Sequence, residues 1–343
     1  MKKKIKVLVV DDSAFMRKML REILSSDPDI EVIGVARNGK EAIEKVNLLS
    51  PDVITMDVEM PVMTGIQAVE AIMKQKPTPI IMVSAYTVEN ASITFEALDR
   101  GALDFITKPG GPISIRLQDV KEKIIEKVKA VSHVNVKALR PPLKRRERLE
   151  ALPGDMEKLV VIASSTGGPK ALSYIIPRLP GDLRAGILVV QHMPEGFTRP
   201  FAERLDKLSK LTVKEAEEGE KIASSVVYIA PSGYHMKIGE EWIIHLTKDA
   251  PMHGVRPAAD ITMLSAASVS GKSTIGVVLT GMGKDGSMGV REIKARGGMV
   301  IAQDKKTSVI FGMPKAAINT GCVDEVLPLE DIPEGIVNMV AVK

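Results

Sequence analysis

The first 131 residues alternate between short apolar runs and segments whose apolar residues recur every three or four positions. Short apolar runs predict buried strands, and the longer period predicts helices packed against them. The predicted strands are residues 5–10, 31–35, 53–57, 80–84 and 102–107. The first predicted helix is capped by Ser13 and has an apolar face of Phe15, Met19, Leu20, Ile23 and Leu24. The other predicted helices are residues 39–49, 65–74, 90–100 and 113–131. Five strand–helix units favour a doubly wound, five-stranded parallel sheet.

A second alternating pattern begins at Leu159. It predicts strands at residues 159–163, 187–190, 226–229, 275–279 and 299–302. It also predicts helices at residues 170–179, 196–208 and 258–268, and a short helix after Pro314. Residues 236–239 and 242–246 flank a polar tip, which favours a β-hairpin. The second pattern therefore indicates another mostly parallel α/β domain, with a β-hairpin.

Residues 132–157, between the two patterns, show no apolar period. They include the proline-containing, basic run 140–148, which predicts a solvated linker, although such a run could also contact phosphates or an acidic partner. We therefore expect three parts: a domain of residues 1–131, a linker of residues 132–157, and a domain of residues 158–343.

The composition of the 343-residue chain limits the classes of function that fit it. Only 3% of the residues are aromatic and the net charge is +4, which argues against a nucleic-acid partner. No apolar run is long enough to cross a membrane, and the N terminus lacks the pattern of a signal sequence. Cys322 is the single cysteine, which excludes an intramolecular disulfide. We expect a cytoplasmic protein with no direct membrane insertion.

Polar residues end four predicted strands of the first domain. Asp11 and Asp12 follow the first strand, and Asp57 ends the third. Carboxyl ends of parallel strands meet at one edge of a sheet, where three carboxylates repel one another unless a hard cation such as Mg²⁺ lies among them. Ser84 and Lys108 end two further strands, where a hydroxyl and an ammonium group would contact a transferred phosphoryl group. The pattern predicts a magnesium-dependent phosphoryl site.

Three strand ends of the second domain carry the residue types of a serine hydrolase. Ser165 and His192 follow the first two predicted strands, and Asp285 lies in the loop after the strand at 275–279. Serine is a poor nucleophile until a base takes its proton, and histidine has a suitable ordinary pKa. A buried aspartate would hold the imidazole in the required tautomer. The sequence therefore predicts Ser165 as nucleophile, His192 as base and Asp285 as its partner.

The first domain resembles response-regulator receiver domains over residues 5 to about 130. The matching motifs are Asp11-Asp12-Ser13, Met56-Asp57-Val58-Glu59-Met60-Pro61, Ser84-Ala85 and Lys108-Pro109. The resemblance implies that Asp57 is the phosphoacceptor and that Asp11, Asp12 and Asp57 bind Mg²⁺. It also implies that Ser84, Phe105 and Lys108 are the switch residues. The phosphodonor of such a domain is a histidine kinase, and the resemblance of the second domain implies a chemotaxis histidine kinase.

The second domain resembles the CheB family of chemotaxis methylesterases. The matching motifs are residues 162–169 (Ile-Ala-Ser-Ser-Thr-Gly-Gly-Pro), 191–194 (Gln-His-Met-Pro) and 280–286 (Thr-Gly-Met-Gly-Lys-Asp-Gly). The register of Ser-Thr-Gly-Gly implies that the nucleophile is Ser165, not Ser164. The family also implies an oxyanion hole formed by the backbone N–H groups of His192 and Met282, and no cofactor for hydrolysis.

The family implies a phosphorylation-activated serine hydrolase that demethylates glutamate methyl esters on chemoreceptors and deamidates their glutamines. In this family the unphosphorylated receiver is expected to cover the active site. One alternative stays open, because Gly281, Gly283 and Gly286 form a G-x-G-x-x-G motif after a predicted strand, a pattern typical of dinucleotide-binding loops. On that interpretation the chain is a two-domain response regulator whose second half is a non-catalytic or dinucleotide-binding output domain.

Overall fold

The computed structural model describes residues 3–85, 88–108, 117–134, 136 and 156–342. The chain divides into two compact units, Met1–Arg140 and Pro141–Lys343. Most of the predicted linker, including the basic run 140–148, lies outside the described residues, as do Pro109 and the start of the helix predicted at 113–131. The boundaries proposed at residues 131 and 158 therefore stay predictions.

The first unit contains the predicted five-stranded parallel sheet, and its strands lie in the order β2-β1-β3-β4-β5. Its strands are β1 (Ile5–Val10), β2 (Ile30–Ala36), β3 (Val53–Asp57), β4 (Ile80–Ser84) and β5 (Asp104–Thr107). Its helices are α1 (Ala14–Ser25), α2 (Gly39–Leu49), α3 (Gly65–Gln75), α4 (Val88–Asp99) and α5 (Leu117–Val131). Because β1, β3 and β4 adjoin one another, the residues at their carboxyl ends share one edge of the sheet.

Helix α1 shows how the sequence pattern translates into packing. The hydroxyl oxygen of Ser13 accepts a hydrogen bond from the N–H of Met16, which is the predicted N-cap. Phe15 was expected on the apolar face, but this prediction is wrong, since Phe15 is 67% exposed. The buried face contains the predicted Leu20, Ile23 and Leu24 together with Met16, because Phe15, one residue before Met16, is turned away by about 100° around the helix axis.

The second unit contains a seven-stranded parallel sheet in the order β14-β13-β12-β6-β7-β9-β8 and a separate antiparallel hairpin, β10-β11. The strands are β6 (Lys158–Ser164), β7 (Ala185–Gln191), β8 (Thr212–Glu215), β9 (Val226–Ile229), β10 (His235–Ile238), β11 (Ile244–Thr247), β12 (Thr274–Val278), β13 (Met299–Gln303) and β14 (Glu325–Leu327). The helices are α6 (Gly168–Ile175), α7 (Thr198–Leu208), α8 (Ala259–Ser270), α9 (Ser287–Ala295), α10 (Met313–Ile318) and α11 (Ile332–Ala341). The predicted fold class is confirmed.

Four of these elements were not predicted: β8, β14, α9 and α11. The two strands lie at the outer edges of the sheet, where a strand is partly exposed and lacks a continuous apolar run. Helix α9 was not predicted because it directly follows the glycine-rich loop 281–286, and such a composition is typical of loops and hides the start of the helix. None of the helices among the described residues is long and apolar enough to span a membrane.

Strands β12, β6 and β7 lie side by side in the middle of the second sheet. Every residue of these three strands is buried, including Ser164 and Gln191 at their ends. Helices on both faces of such a sheet leave its carboxyl edge as the place where side chains can meet a ligand. This edge carries the residues that the sequence singles out for hydrolase chemistry.

Candidate functional site

Ser165, His192 and Asp285 come after three neighbouring strands of the second sheet. Strand β6 ends at Ser164 and β7 at Gln191, and these two residues are paired in register. The N–H of His192 donates to the carbonyl oxygen of Ser164 at 3.0 Å. Asp285 lies in the loop between β12 and α9. The fold therefore brings the three predicted residues to one edge of the sheet.

His192 and Asp285 form a hydrogen-bonded pair, with 2.8 Å between Nε2 and Oδ2. Burial alone would raise the pKa of Asp285, but the hydrogen bond and charge of His192, together with the N–H groups of Asp260 and Ala259, lower that pKa below its ordinary value. The carboxylate is therefore ionised at neutral pH and favours the tautomer with a proton on Nε2. Nδ1 is left as the ring nitrogen that can accept a proton.

Ser164 and Ser165 differ in what their hydroxyl groups can do. Ser164 is fully buried, and its hydroxyl donates to Oε1 of Gln191 at 2.7 Å. Ser165 is partly exposed, and its hydroxyl makes no hydrogen bond with any described residue, His192 included. Catalytic hydrogen bonds are often long before substrate binds. Ser165 is the serine with an available hydroxyl.

Gln191 was not predicted as a site residue, yet its side chain connects the serine turn to the histidine. Its amide nitrogen donates to the carbonyl oxygens of Ser165 (3.0 Å) and His192 (2.8 Å). Its amide oxygen accepts the hydroxyl of Ser164. Both amide hydrogens and the oxygen are therefore used, which fixes the side chain. The signal in the sequence was a polar residue that ends a fully apolar strand.

Thr280 holds the serine turn from its other side. Its carbonyl oxygen accepts the N–H of Ser165 at 3.0 Å. Its hydroxyl donates to the carbonyl oxygen of Thr166 at 2.9 Å and accepts the N–H of Ile310 at the same distance. Thr280 begins the motif at 280–286, but nothing in the sequence pattern indicated which residues it contacts. The backbone of Ser165 is thus held by the side chain of Gln191, at the end of β7, and by the backbone carbonyl of Thr280, in the loop after β12.

The two predicted oxyanion donors are in different states. The N–H of Met282 makes no hydrogen bond with another described residue and is available. The N–H of His192 is already bonded to the carbonyl oxygen of Ser164, so it would have to share or exchange that bond to stabilise an oxyanion. Met282 therefore stays the better supported of the two predicted donors.

The glycine-rich loop 281–286 contacts the serine turn. A Cβ placed on Gly281 would lie 2.8 Å from the Cβ of Ser165, so a glycine allows this close approach. The N–H of Gly286 donates to Oδ1 of Asp285 at 3.0 Å. A phosphate would meet the negative charge of Asp285 and would find this N–H occupied. The dinucleotide-binding alternative is therefore not favoured.

The first unit gathers Asp11, Asp12 and Asp57 at the carboxyl edge of its sheet, with one oxygen of each within 4.8 Å of the others. Nζ of Lys108 lies 3.0 Å from Oδ2 of Asp11 and 2.8 Å from Oδ2 of Asp57. Oδ2 of Asp11 is buried and, apart from this ion pair, makes no hydrogen bond. A hard cation prefers such carboxylate oxygens, so the residues present fit Mg²⁺.

Burial, with a smaller contribution from the nearby charge of Asp11, raises the pKa of Asp57 to about 6, against the opposing effect of Lys108. Burial would lower the pKa of Lys108, but its contacts with Asp57 and Asp11 raise it above the ordinary value. Lys108 is therefore protonated at neutral pH and places a positive charge beside the predicted phosphoacceptor.

The remaining predicted switch residues lie on β4 and β5. The hydroxyl of Ser84 accepts a hydrogen bond from Thr94 at 3.0 Å and donates to the carbonyl oxygen of Ala85. Phe105 is buried and packs edge-to-face on Phe95, with 5.8 Å between ring centroids. Thr94 and Phe95, both on α4, are contacts that the sequence did not predict.

Comparison with known proteins finds one matching family model in each compact unit. The CheB methylesterase family model matches residues 160–336, and the response regulator receiver domain model matches residues 7–118. A protein-glutamate methylesterase/protein-glutamine glutaminase of Pyrococcus abyssi is 54% identical over 98% of this chain and 94% of its own length. The protein of the same name from Thermotoga maritima is 50% identical over 98% of each chain.

A solved structure resembles the second unit. The crystal structure of the Thermotoga maritima CheB methylesterase catalytic domain matches 53% of this chain and 98% of that chain, with 50% sequence identity and a TM-score of 0.52. The similarity covers the unit that contains Ser165, His192 and Asp285.

Proposed function

The chain belongs to the CheB methylesterase family, and we propose that it is a receiver-regulated serine hydrolase that demethylates glutamate methyl esters on chemoreceptors. The observation that carries this proposal is the hydrogen bond between His192 and Asp285 beside the available hydroxyl of Ser165. The names of the relatives support the substrate class. Glutamine deamidation follows from the same chemistry, because ester and amide yield the same acyl-enzyme.

In the first half of the proposed reaction, Oγ of Ser165 attacks the γ-carbonyl carbon of the glutamyl methyl ester. The hydroxyl proton passes to Nδ1 of His192, and Asp285 stabilises the resulting imidazolium through Nε2. The tetrahedral intermediate carries a negative oxygen, for which the N–H of Met282 is the available donor among the predicted pair. Collapse of the intermediate breaks the bond to methoxide, which takes the proton from His192 and leaves as methanol.

In the second half, water attacks the glutamyl ester of Ser165. His192 accepts the proton of the water and then returns it to Oγ of Ser165 as the acyl bond breaks. The products are the glutamate side chain and free enzyme. With a glutamine substrate the leaving group of the first half is ammonia, and the second half is unchanged.

We propose that Asp57 accepts a phosphoryl group from a chemotaxis histidine kinase, with Mg²⁺ held by Asp11, Asp12 and Asp57. When bound, Mg²⁺ supplies positive charge that offsets the repulsion among the carboxylates and the incoming phosphoryl group. Lys108 places a second positive charge 2.8 Å from Asp57, where it would contact the transferred group. Ser84 and Phe105 are the proposed switch residues, and both lie next to α4 residues that could respond to them.

We further propose that the unphosphorylated receiver inhibits the esterase and that phosphorylation relieves this inhibition by a population shift. The site of action is the cytoplasm, where the kinase and the methylated receptor helices would be found. The protein needs no cofactor for hydrolysis itself, since nucleophile, base and their partner all come from side chains.

The function is tested by release of methanol from methylated receptor, with and without a phosphodonor. We expect release by the wild-type chain, an increase with phosphodonor, and covalent labelling of Ser165 by a serine-directed phosphonate. A chain that binds receptor but releases no methanol and takes up no phosphonate would favour a non-catalytic output domain.

A further inference from the structure

Two buried carboxylates, Asp285 and Asp260, accept hydrogen bonds from backbone N–H groups at the N termini of α8 and α9. Asp285 accepts the N–H groups of Ala259 (2.6 Å) and Asp260 (2.9 Å), which lie in the first turn of α8. Asp260 accepts the N–H groups of Met288 (2.9 Å) and Gly289 (2.7 Å), in the first turn of α9. Each carboxylate thus satisfies two unpaired donors at the start of a helix. Neither helix can shift at this end without losing hydrogen bonds.

Asp260 also forms a second histidine–carboxylate pair in this region. Its Oδ2 lies 2.7 Å from Nε2 of His253, an exposed residue on the loop before α8 whose side chain is 21% exposed. Burial raises the pKa of Asp260, and the neighbouring charge of Asp285 adds to this effect, while the N–H of Gly289 and the bond to His253 oppose it. His253 therefore supplies a donor to a carboxylate whose negative charge is otherwise costly to bury.

His253, Asp260 and Asp285 have ligand atoms within 4.8 Å of one another, which is the spacing of a metal site. The hydrogen bonds argue against one. Asp285 already accepts four donors, from His192, Ala259, Asp260 and Gly286. A carboxylate has about four lone-pair positions, so no oxygen of Asp285 is left for a cation. The cluster is a hydrogen-bond network instead.

We propose that Asp260, held by His253, is a positioning residue that fixes Asp285 against His192. Asp285 is the residue directly before the Gly286–Ser287 entry to α9, and α9 is anchored to α8 through Asp260. Losing this anchor frees the start of α9 and with it the peptide that carries Asp285. A displacement of about 1 Å at a catalytic group can cost on the order of 100-fold in rate. The inference rests on the proposed methylesterase function.

The test compares Asp260→Ala, Asp260→Asn and His253→Gln in the full chain, with methanol release from methylated receptor as the assay. We expect Asp260→Ala to lower kcat roughly 10- to 100-fold with KM changed less than about 3-fold, because the residue acts on geometry and not on substrate binding. Asp260→Asn retains an oxygen that can accept from both N–H groups of α9, so its loss should be smaller. His253→Gln should fall between Asp260→Asn and wild type.

A coupling measurement separates positioning from a general loss of stability. In a chain that already carries Asp285→Asn, the further change Asp260→Asn should lower kcat by less than about 2-fold. The reason is that the effects of replacing two residues that act as a unit do not add. Full additivity would overturn the proposal, since Asp260 would then act independently of Asp285. If Asp260→Ala does not fold, the Asn and Gln variants still decide.

His245→Gln is the matched control. His245 lies on the hairpin strand β11, and its Nδ1 is 3.1 Å from Oε1 of Glu218, which is also exposed. Its replacement should leave kcat unchanged. Equal losses for His245→Gln and His253→Gln would overturn the proposal. An inactive wild-type chain would instead contradict the proposed function, so the two failures are distinguishable.

Discussion

Gly168 lies so close to Gln191 that a Cβ on the glycine would fall 1.9 Å from Oε1 of the glutamine. Gly168 is the first residue of α6, and Gln191 is the last residue of β7. The oxygen in question accepts the hydroxyl of Ser164, while the amide nitrogen holds the carbonyl oxygens of Ser165 and His192. The absence of a side chain at Gly168 therefore makes room for the group that aligns nucleophile and base.

Replacing Gly168 by alanine should displace the Gln191 side chain. We expect Gly168→Ala to lower kcat by on the order of 100-fold, because nucleophile and base lose their shared support. Methanol release gives the rate of turnover, and the rate of phosphonate labelling reports on the reactivity of Ser165 as activated by His192. Gly181→Ala is the control, since Gly181 is a glycine of the same unit next to Lys210 and away from these residues. Equal effects of the two changes would contradict the role given to Gln191.

The two adjacent serines should behave differently on replacement. Ser165→Ala should abolish methanol release, with a loss of several orders of magnitude, because the nucleophile is removed. Ser164→Ala should retain most activity, although it leaves Oε1 of Gln191 without its donor, a defect of about 1–3 kcal/mol in stability. The check is a side-by-side kcat and thermal unfolding measurement. An inactive, folded Ser164→Ala beside an active Ser165→Ala would reverse the assignment.

Asp57 should be the residue that a small-molecule phosphodonor modifies, and only when Mg²⁺ is present. The reason is the repulsion among Asp11, Asp12 and Asp57, whose oxygens lie within 4.8 Å of one another. Incorporation of labelled phosphate should disappear with EDTA and in Asp57→Asn, and hydroxylamine should release it. Glu59→Gln, which removes an exposed carboxylate of the following loop, should leave incorporation unchanged. Label that survives in Asp57→Asn would contradict the assignment.

The raised pKa of Asp57 predicts that the free energy of unfolding differs between the wild-type chain and Asp57→Asn in EDTA, and that this difference depends on pH. The folded chain holds the proton more tightly than the unfolded chain, so the stability that Asp57 contributes falls as pH rises from its ordinary pKa of 3.8 to about 6. Asp57→Asn removes this cost and should stabilise the first unit by up to roughly 3 kcal/mol at pH 7.5 and by about half of that at pH 5. Urea unfolding at both pH values measures it, with Glu59→Gln as control. If the stabilisation by Asp57→Asn increased as the pH fell, the pKa of Asp57 could not be raised in the folded chain.

Regulation should be visible in a fragment that begins near Leu152. If the unphosphorylated receiver inhibits the esterase, this fragment should release methanol faster than the full chain, by roughly 10- to 150-fold for an inhibitory free energy of about 1.4–3 kcal/mol. The phosphodonor should not change the rate of methanol release by this fragment. It should increase the rate of the full chain but not that of its Asp57→Asn variant. A fragment no faster than the unphosphorylated full chain would favour a receiver that activates the site directly.

The sequence by itself determined the five strands of the first sheet, the five inner strands of the second sheet, and the position of the residues at their carboxyl edges. Apolar runs such as 159–163 indicate buried strands, and the residue after a parallel strand must lie at the edge where ligands bind, so Ser165, His192 and Asp57 could be singled out. The short edge strands β8 and β14 escaped prediction because exposure on one side removes the apolar signal.

Only the tertiary structure decided which side chains hold that site in place. The bond from Ser164 to Gln191 spans 27 residues, and the contacts of Asp260 with α9 span 28 and 29. Such partners depend on which strands and helix ends become neighbours, and residue periodicity carries no information about side-chain hydrogen bonds between elements. For the same reason the family resemblance could imply the N–H of His192 as an oxyanion donor, while in the folded chain that N–H donates to the carbonyl oxygen of Ser164.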